Sequence, residues 1–463
     1  MSSSIYSQVN DLVERDFSFY LEELKKLVKI PSISFNGFDK KHIADCANAV
    51  AELFKKTDFQ SVKLLDTGTD SPAVFAEMKG FGTAPVILLY AHYDVQPQMQ
   101  EDRWHSPPFE PQIRNERLYG RGAADDKAGI IANLAAALTA RKLKEGKNFP
   151  TLKFLIEGEE EAGSPNLEKL LSKYKDELKC DAAIICDVAN FSEKIPAVVA
   201  SLRGMLAVEI EVRSMNAPLH SGMWSGAIPD AVQGLCKMLS SLTDENGKIA
   251  IKGMPTEPAL ENSVAESYEK ISEQYGEEEL RKESELFPKT QLLTSEIIKS
   301  MWRDQTLTIT TIQAGDRKNA GNVLQNSAWA RISLRLTPGT DLEIAKFALL
   351  EHLKAVVPWG LELSIKVEGG SAPAWETKTE HRFFQKMLSA LETGYGEKPL
   401  ITGCGASIPL VPALEKAFAI PLLLIGIEDP LTNAHGENES VSLDSLKKTI
   451  VSETVFFLEC GNP

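Results

Sequence analysis

Long apolar runs are missing from this chain. The most apolar stretch, Ala419–Ile427, falls well short of the ~20 residues that a membrane-spanning helix needs. Cysteine motifs are missing too. The six cysteines (46, 180, 186, 236, 404 and 460) are scattered without CxxC or paired spacing, which reads as reduced thiols in a cytoplasmic protein. The opening residues, MSSSIYSQVNDLVERD, lack a basic segment followed by an apolar core, so no signal peptide is expected. There is no internal repeat and no low-complexity tract. Positive charge is in deficit, with 50 Lys and Arg against 65 Asp and Glu, for a net charge of −15. Such a surface disfavours non-specific binding to nucleic acid or anionic lipid, so neither nucleic acid nor membrane is expected as a partner. Histidine is scarce: seven in 463 residues, few enough to read one by one.

What is present has the composition of a soluble globular protein, 43% hydrophobic and 25% charged. The length exceeds the ~100–200 residues of a usual domain, which predicts two or three domains or one interrupted domain. Val86–Tyr90, Leu152–Ile156 and Ala182–Cys186 are short apolar runs typical of buried strands, and Asp126 to Lys142 reads as an Ala/Leu-rich helix. Strands alternating with helices predict an α/β layer with a mostly parallel central sheet. The pattern changes near Arg203. Met205–Val212, Thr306–Gln313, Ala328–Thr337 and Leu361–Val367 read as strands, and Ile228–Leu242 and Leu342–Val356 as helices, which suggests an α+β unit. The polar stretch Glu257–Asp304 is too long for a simple loop and is expected to form lid helices. After Ser371 the α/β character returns, with Pro421–Ile425 as a strand and Leu443–Leu458 as a helix. The simplest account is a discontinuous α/β domain, 1–202 with 372–463, interrupted by an inserted α+β domain at 203–371.

Chemistry-bearing residues gather where the strands end. His92 follows the first strand, with Asp94 two residues on; a carboxylate there can accept the second ring N–H of a metal-bound imidazole. Asp125 lies in GRGAADDKAG, read as following another strand, although aspartates opening a helix are ordinarily caps. IEGEEEAGS places Glu160 and Glu161 beyond LKFLI; one of two neighbouring carboxylates can bind metal while the other moves a proton. Asp187 ends a further strand, and His435 lies past the last one. Ligands bind beyond the carboxyl ends of strands in open α/β sheets. Two histidines and three carboxylates can fill two metal sites that share a carboxylate, and nitrogen and oxygen donors without thiolate suit Zn²⁺, Mn²⁺ or Co²⁺. His42, His105, His352 and His381 have no such surroundings. Cys186 reads as a buried strand thiol, and Glu277–Glu279 as a solvated helix face.

These five motifs, in order over nearly the whole chain, resemble the co-catalytic di-zinc exopeptidase family of carnosinase, cytosolic non-specific dipeptidase, aminoacylase and acetylornithine deacetylase. The large insertion and PLHSGMWSG, Pro218–Gly226, are most similar to the dipeptidase branch. The resemblance implies a phosphorylase/hydrolase-like catalytic domain with a lid and dimerisation domain, a homodimer, and two divalent ions. It implies that His92 and Asp187 hold one ion, Glu161 and His435 the other, and Asp125 both, with Asp94 behind His92. The Asp125–Asp126 peptide is expected to be cis. Aligning GEEEAGS on the family pattern makes Glu160 the base and leaves Glu159 as an extra acid. His220 is implied to reach a neighbouring subunit's site and stabilise the oxyanion. Arg335 is implied to hold the substrate carboxylate. Asn322 and the turn Gly405–Pro409, with Ser407, are implied to lie near the substrate, although Gln325 replaces the family's proline in GNVIP. The implied activity is hydrolysis of a dipeptide or short-peptide amide by metal-activated water with a glutamate base, or, in the deacylase branch, of an N-acyl amino acid.

Overall fold

The computed structural model describes residues 3–144 and 148–461. They form two compact units. The first comprises Met1–Ala200, Thr377–Thr402 and Ala413–Pro463; the second comprises Ser201–Glu376 and Gly403–Pro412.

The first unit is built on a mixed sheet. Its strands are β1 (Ser61–Leu65), β2 (Ala73–Met78), β3 (Val86–His92), β4 (Thr151–Glu157), β5 (Ala182–Ala189), β6 (Ala197–Leu202), β7 (Leu400–Cys404) and β8 (Leu422–Glu428). Their spatial order is β1-β2-β4-β3-β5-β8-β6, with β7 also paired to β6. The expected parallel core is the middle of this sheet, where β4, β3, β5 and β8 run parallel. The flanking pairs β1–β2, β2–β4 and β8–β6 are antiparallel. Near-continuous burial along β3, β4, β5 and β8 explains the arrangement, because strands covered on both faces need apolar side chains in both directions. Helices Lys127–Leu143 and Leu443–Cys460 pack on each other and on this parallel core. Lys127–Leu143 is buried almost all round, as its alanine-rich sequence allows. The parallel strands therefore bring their carboxyl ends to one edge.

The second unit is an antiparallel sheet ordered Thr306–Gln313, Ser327–Leu336, Gly204–Arg213, Glu362–Val367. Ser327–Leu336 alternates strictly, so Ala328, Ala330, Ile332, Leu334 and Leu336 face the core with helices Ala231–Ser240 and Leu342–Ala355. The first of these helices starts at Ala231 rather than Ile228 because Asp230 caps it, accepting from the Gln233 N–H. The polar stretch 257–304 contains helices Asn262–Ser272, Glu277–Glu283 and Ile297–Trp302, and Glu277–Glu279 form an exposed first turn. Among the described residues, no helix is long and apolar enough to cross a membrane.

Candidate metal centre

The edge of the parallel sheet collects the candidate ligands. His92 is the last residue of β3, Asp187 lies near the end of β5, Glu160 and Glu161 follow β4, and His435 follows β8. Asp125 stands between the two imidazoles. Its Oδ1 is 2.9 Å from His92 Nε2 and its Oδ2 is 3.0 Å from His435 Nε2. Asp187 Oδ1 lies 3.7 Å from His92 Nε2, and Glu161 Oε2 lies 3.4 Å from His435 Nε2. Two groups result, Asp125 with Glu161 and His435, and His92 with Asp187 and Asp126, each with ligand atoms within 4.8 Å of one another. Asp126 is the weaker third member of the second group. Both its oxygens already accept backbone N–H groups, Oδ2 from His92 and Oδ1 from Gly129, so Asp125 is the carboxylate left to serve both groups. The Asp125–Asp126 peptide is cis. Asp126 caps the helix that begins at Lys127, accepting from the Gly129 N–H, and Asp125 turns into the centre.

Asp125 does not end a strand of the main sheet, contrary to expectation. It lies on the loop after the short strand Arg117–Tyr119, which pairs with Gln112–Arg114 and Ser440–Ser442 in a separate small sheet. The glycine-rich segment abandons strand pairing because another acceptor takes its N–H groups. Buried Glu439 accepts from the backbone of Gly122 (2.9 Å), Ala124 (2.9 Å) and Asp125 (3.1 Å). Arg121 completes the clamp. Its Nη1 donates to Glu439 at 2.7 Å, and its Nη2 donates to the carbonyls of His435 (3.1 Å) and Gly436 (3.0 Å). That grip holds His435 at φ 64°, a left-handed conformation that costs a β-carbon residue energy and persists where surroundings enforce it. Neither Arg121 nor Glu439 stood out in the sequence, and the proximity of Glu439 to His435 in HGENE was the one signal available.

Asp94 organises the opposite side. His92 Nδ1 lies 3.1 Å from the Asp94 carbonyl and 3.3 Å from its Oδ1, which fixes the ring and leaves Nε2 for the centre. The same carboxylate accepts the backbone N–H of Glu160 (3.2 Å) and of Glu161 (3.0 Å), tying the glutamate turn to the histidine strand. The three glutamates then diverge. Glu159 is held outward by the Thr69 hydroxyl (2.8 Å) and the Asn166 amide (3.0 Å), and lines a separate cleft of about 710 Å³ with Lys40 and Asp70. Glu161 accepts from Gln96 at 2.6 Å and approaches His435.

Charge is concentrated here beyond what hydrogen bonds neutralise. Burial pushes the Glu160 carboxyl well above its ordinary range, against the pull of His92 and with the repulsion of Asp187 and Asp125. Burial and Asp125 push Glu161 up to about 9. Burial would lower His92, yet Asp187 and Asp125 hold its imidazole well above the usual value. Burial likewise opposes Asp125, but contact with His435 and His92 keeps it below the carboxylate range. Glutamates and imidazoles forced up around an aspartate held low describe a place built for cations. His92 Nε2 makes the same case geometrically: it is buried, has no hydrogen-bond partner among the described residues, and faces two carboxylates. An imidazole nitrogen so placed fits a divalent ion.

The remaining candidates belong to the second unit. His220 is exposed, on a two-residue strand that pairs with Val323–Leu324, and the Ser221 N–H donates to the Asn322 carbonyl at 2.9 Å. The HSG and GNV segments are therefore adjacent. Gln325 earns its departure from proline: its N–H donates to Asp230 Oδ2 at 3.1 Å, a bond proline cannot make. Arg335 donates to the Ser407 hydroxyl at 3.0 Å. Outside these groups, His352 bonds Ser241, His381 caps the helix Arg382–Tyr395, and Cys186 is fully buried.

Residues 88–454 match the family model described as Peptidase family M20/M25/M40. The chain belongs to this family. It is 31% identical over 402 residues to a cysteinylglycine-S-conjugate dipeptidase of Corynebacterium striatum, covering 85% of each chain. It is 27% identical over 465 residues to a Cys-Gly metallodipeptidase of Schizosaccharomyces pombe, covering 95% of each. In three dimensions it is similar to an M20 family metallo-carboxypeptidase, Sso-CP2, of Sulfolobus solfataricus, with a TM-score of 0.81, 27% identity, and 96% of this chain and 99% of that one covered. The chain is accordingly a metal-dependent peptidase with a dinuclear centre.

Proposed function

We propose that the chain is a dipeptidase that hydrolyses the amide bond of free dipeptides or short peptides at two divalent ions, Zn²⁺ by donor chemistry, with Mn²⁺ or Co²⁺ as substitutes. His92 and Asp187 would hold one ion, Glu161 and His435 the other, and Asp125 would bridge them. When bound, such a pair polarises a carbonyl and acidifies water. The protein's own groups do the rest. Asp94 fixes the His92 ring and the backbone of Glu160. Glu160 takes a proton from the attacking water and delivers it to the amine nitrogen as the C–N bond breaks. From the family resemblance we assign His220 to the developing oxyanion, Asn322 to the substrate's vicinity and Arg335 to its carboxylate, which a guanidinium binds bidentately. The same resemblance supports a homodimer in which His220 serves the partner's site. The buried thiols Cys46, Cys180, Cys186 and Cys460 support residence in the reducing cytoplasm.

The observation that carries the reading is Asp125 lying 2.9 and 3.0 Å from two imidazoles that belong to different ligand groups. The dipeptidase names of the relatives favour free dipeptides over acylated amino acids. Hydrolysis by metal-reconstituted protein of matched libraries of free dipeptides and N-acyl amino acids tests it. Cleavage of the free set, abolished by chelation, is expected. Cleavage of the acylated set alone would move the chain to the deacylase branch. His220→Ala mixed with Glu160→Gln should regain activity in mixed dimers; no regain, with subunit exchange verified, would remove His220 from the neighbouring site.

A further inference from the structure

A cavity of about 390 Å³ opens within the second unit, where three segments meet. They are the turn at Lys248 and Ile249, the stretch 254–257, and the link Asp304–Gln305 that leads from the helix Ile297–Trp302 into the strand Thr306–Gln313. Small-molecule sites usually measure about 300–1,000 Å³. The link is anchored through its donors. The Asp304 N–H donates to the Lys299 carbonyl at 3.1 Å, the Gln305 N–H to Glu257 Oε1 at 2.7 Å, and Gln305 Nε2 to the Pro255 carbonyl at 2.8 Å. Those bonds hold the link's acceptors in place, and two acceptors are left over. Asp304 is only 6% exposed, and its Oδ1 has no hydrogen-bond partner among the described residues. Gln305 Oε1 is buried and likewise without one. Buried acceptors are nearly always paired, because an unpaired one forfeits its hydration for nothing.

Two ammonium groups stand close without closing the bond. Lys248 Nζ lies 3.8 Å from Asp304 Oδ2, and Lys299 Nζ lies 3.8 Å from Asp304 Oδ1. That spacing balances charge but exceeds hydrogen-bond length. Lys299 spends one donor on Glu296 Oε2 at 3.3 Å, and an ammonium has three. Burial would lower Lys299, yet Asp304 and Glu296 hold it above its ordinary value, so it stays a charged donor. A lone metal cation would be repelled by both lysines, and a lone anion by Asp304. A molecule that carries both charges meets neither objection. Its ammonium supplies the donors that Asp304 and Gln305 lack, and its carboxylate accepts from Lys248 and Lys299. Ile249, Met254 and Pro255 give the same cavity an apolar wall for a side chain.

We infer that this cavity binds a free α-amino acid with an apolar side chain, its ammonium towards Asp304 and Gln305 and its carboxylate towards Lys248 and Lys299. Neither the metal ligands nor the residues proposed for hydrolysis take part. Under the dipeptidase reading such molecules are the enzyme's own products, but the binding does not depend on that reading.

The test is calorimetric titration of L-leucine and L-methionine into the metal-reconstituted full chain. Saturable binding is expected, with a component that Lys248→Met and Asp304→Asn each weaken about tenfold or more, the scale of one lost hydrogen bond to a charged group. Leucinamide, which lacks the carboxylate, and N-acetyl-leucine, which lacks the ammonium, should each bind that component at least about tenfold more weakly than leucine. Circular dichroism and metal content unchanged from wild type check the variants, and because Lys248 is exposed, Lys248→Met decides even if Asp304→Asn fails to fold. Equal binding of N-acetyl-leucine would make this an anion site, and equal binding of leucinamide a cation site; either overturns the inference. Binding unchanged in Lys248→Met would place the amino acid elsewhere, at the metal centre first of all, and overturns it too. So does the absence of saturable binding up to about 10 mM, which would leave a water-filled ion pair only. Dipeptide hydrolysis persisting without this binding overturns this inference alone. Binding in a chain that cleaves no free dipeptide overturns the proposed activity alone.

Discussion

The metal centre of the first unit and the His220–Asn322 corner of the second are assembled by opposite means. Around the centre, three of the five candidate ligands are aimed by groups that are not themselves ligands: His92 by Asp94, Asp125 by Glu439, the His435 backbone by Arg121. Those supports are buried, and their hydrogen bonds operate in a low-dielectric interior where each is strong and each omission costly. His220 and Asn322 are exposed and held by one short backbone pairing. The difference teaches that the first site is preorganised within its own unit, whereas the second is a pair of side chains offered to something else. A rigid metal centre needs its ligands fixed before the ion arrives; a histidine proposed to meet substrate does not.

Breaking the shared carboxylate should have the largest effect. Asp125→Ala should cut metal content below two ions per chain by elemental analysis, and lower kcat/KM by about 10³-fold or more, since both ligand groups lose a member. Next, Glu160→Gln should keep full metal content while kcat falls about 10²–10⁴-fold, the usual weight of general acid–base catalysis. Near-wild-type turnover would transfer the role, with Glu159 the neighbour to examine. Third, Glu439→Gln should weaken metal binding about 10–100-fold, as loss of a ligand's support does. Titration with excess ion should then restore most of the activity; unrestored activity would mean that Glu439 acts beyond ligand positioning.

The smallest effect tests buried charge away from the centre. Glu453 is fully buried, neither oxygen has a hydrogen-bond partner among the described residues, and burial pushes it up to about 8 against the pull of the Cys186 thiol. Its folded-state value lies above its unfolded one, so its contribution to stability is present below the ordinary glutamate range and is lost as pH rises towards 8. Wild-type unfolding free energy should thus fall relative to Glu453→Gln by roughly 1.4 kcal/mol per pH unit across that window. Parallel denaturant curves at pH 5 and pH 8 would measure it, and an unchanged difference between the two proteins would refute it.

How much of this was legible in the sequence depends on how locally each feature is specified. β3, β4 and β5 were readable because continuous apolar runs bounded by polar loops have few other meanings, and the residues after them followed at once. That His92 and Asp94 share one side needed only the two-residue period of an extended chain, whereas their roles came from the family resemblance. β1 and β6 gave no comparable signal: SVKLL is short and half polar, and AVVASL runs straight into the polar start of the second unit. The route of GRGAADD was misread as a strand end because the carboxylate that shapes it, Glu439, is 314 residues away from Asp125. Arg121 was hidden for the same reason.

The hydrogen bond between Glu439 and the backbone of Asp125 also sets a clock. A growing chain presents His92, Asp125, Glu160, Glu161 and Asp187 long before His435 and Glu439 have been made. Contacts of such long sequence separation form late, after the loop between them has been closed. A partly synthesised chain therefore carries Asp125 on a loop whose anchor has not yet been made, and can show at most one complete ligand group. Proteolytic power is withheld from the nascent chain until the segment that follows β8 has folded back onto the first third of the molecule.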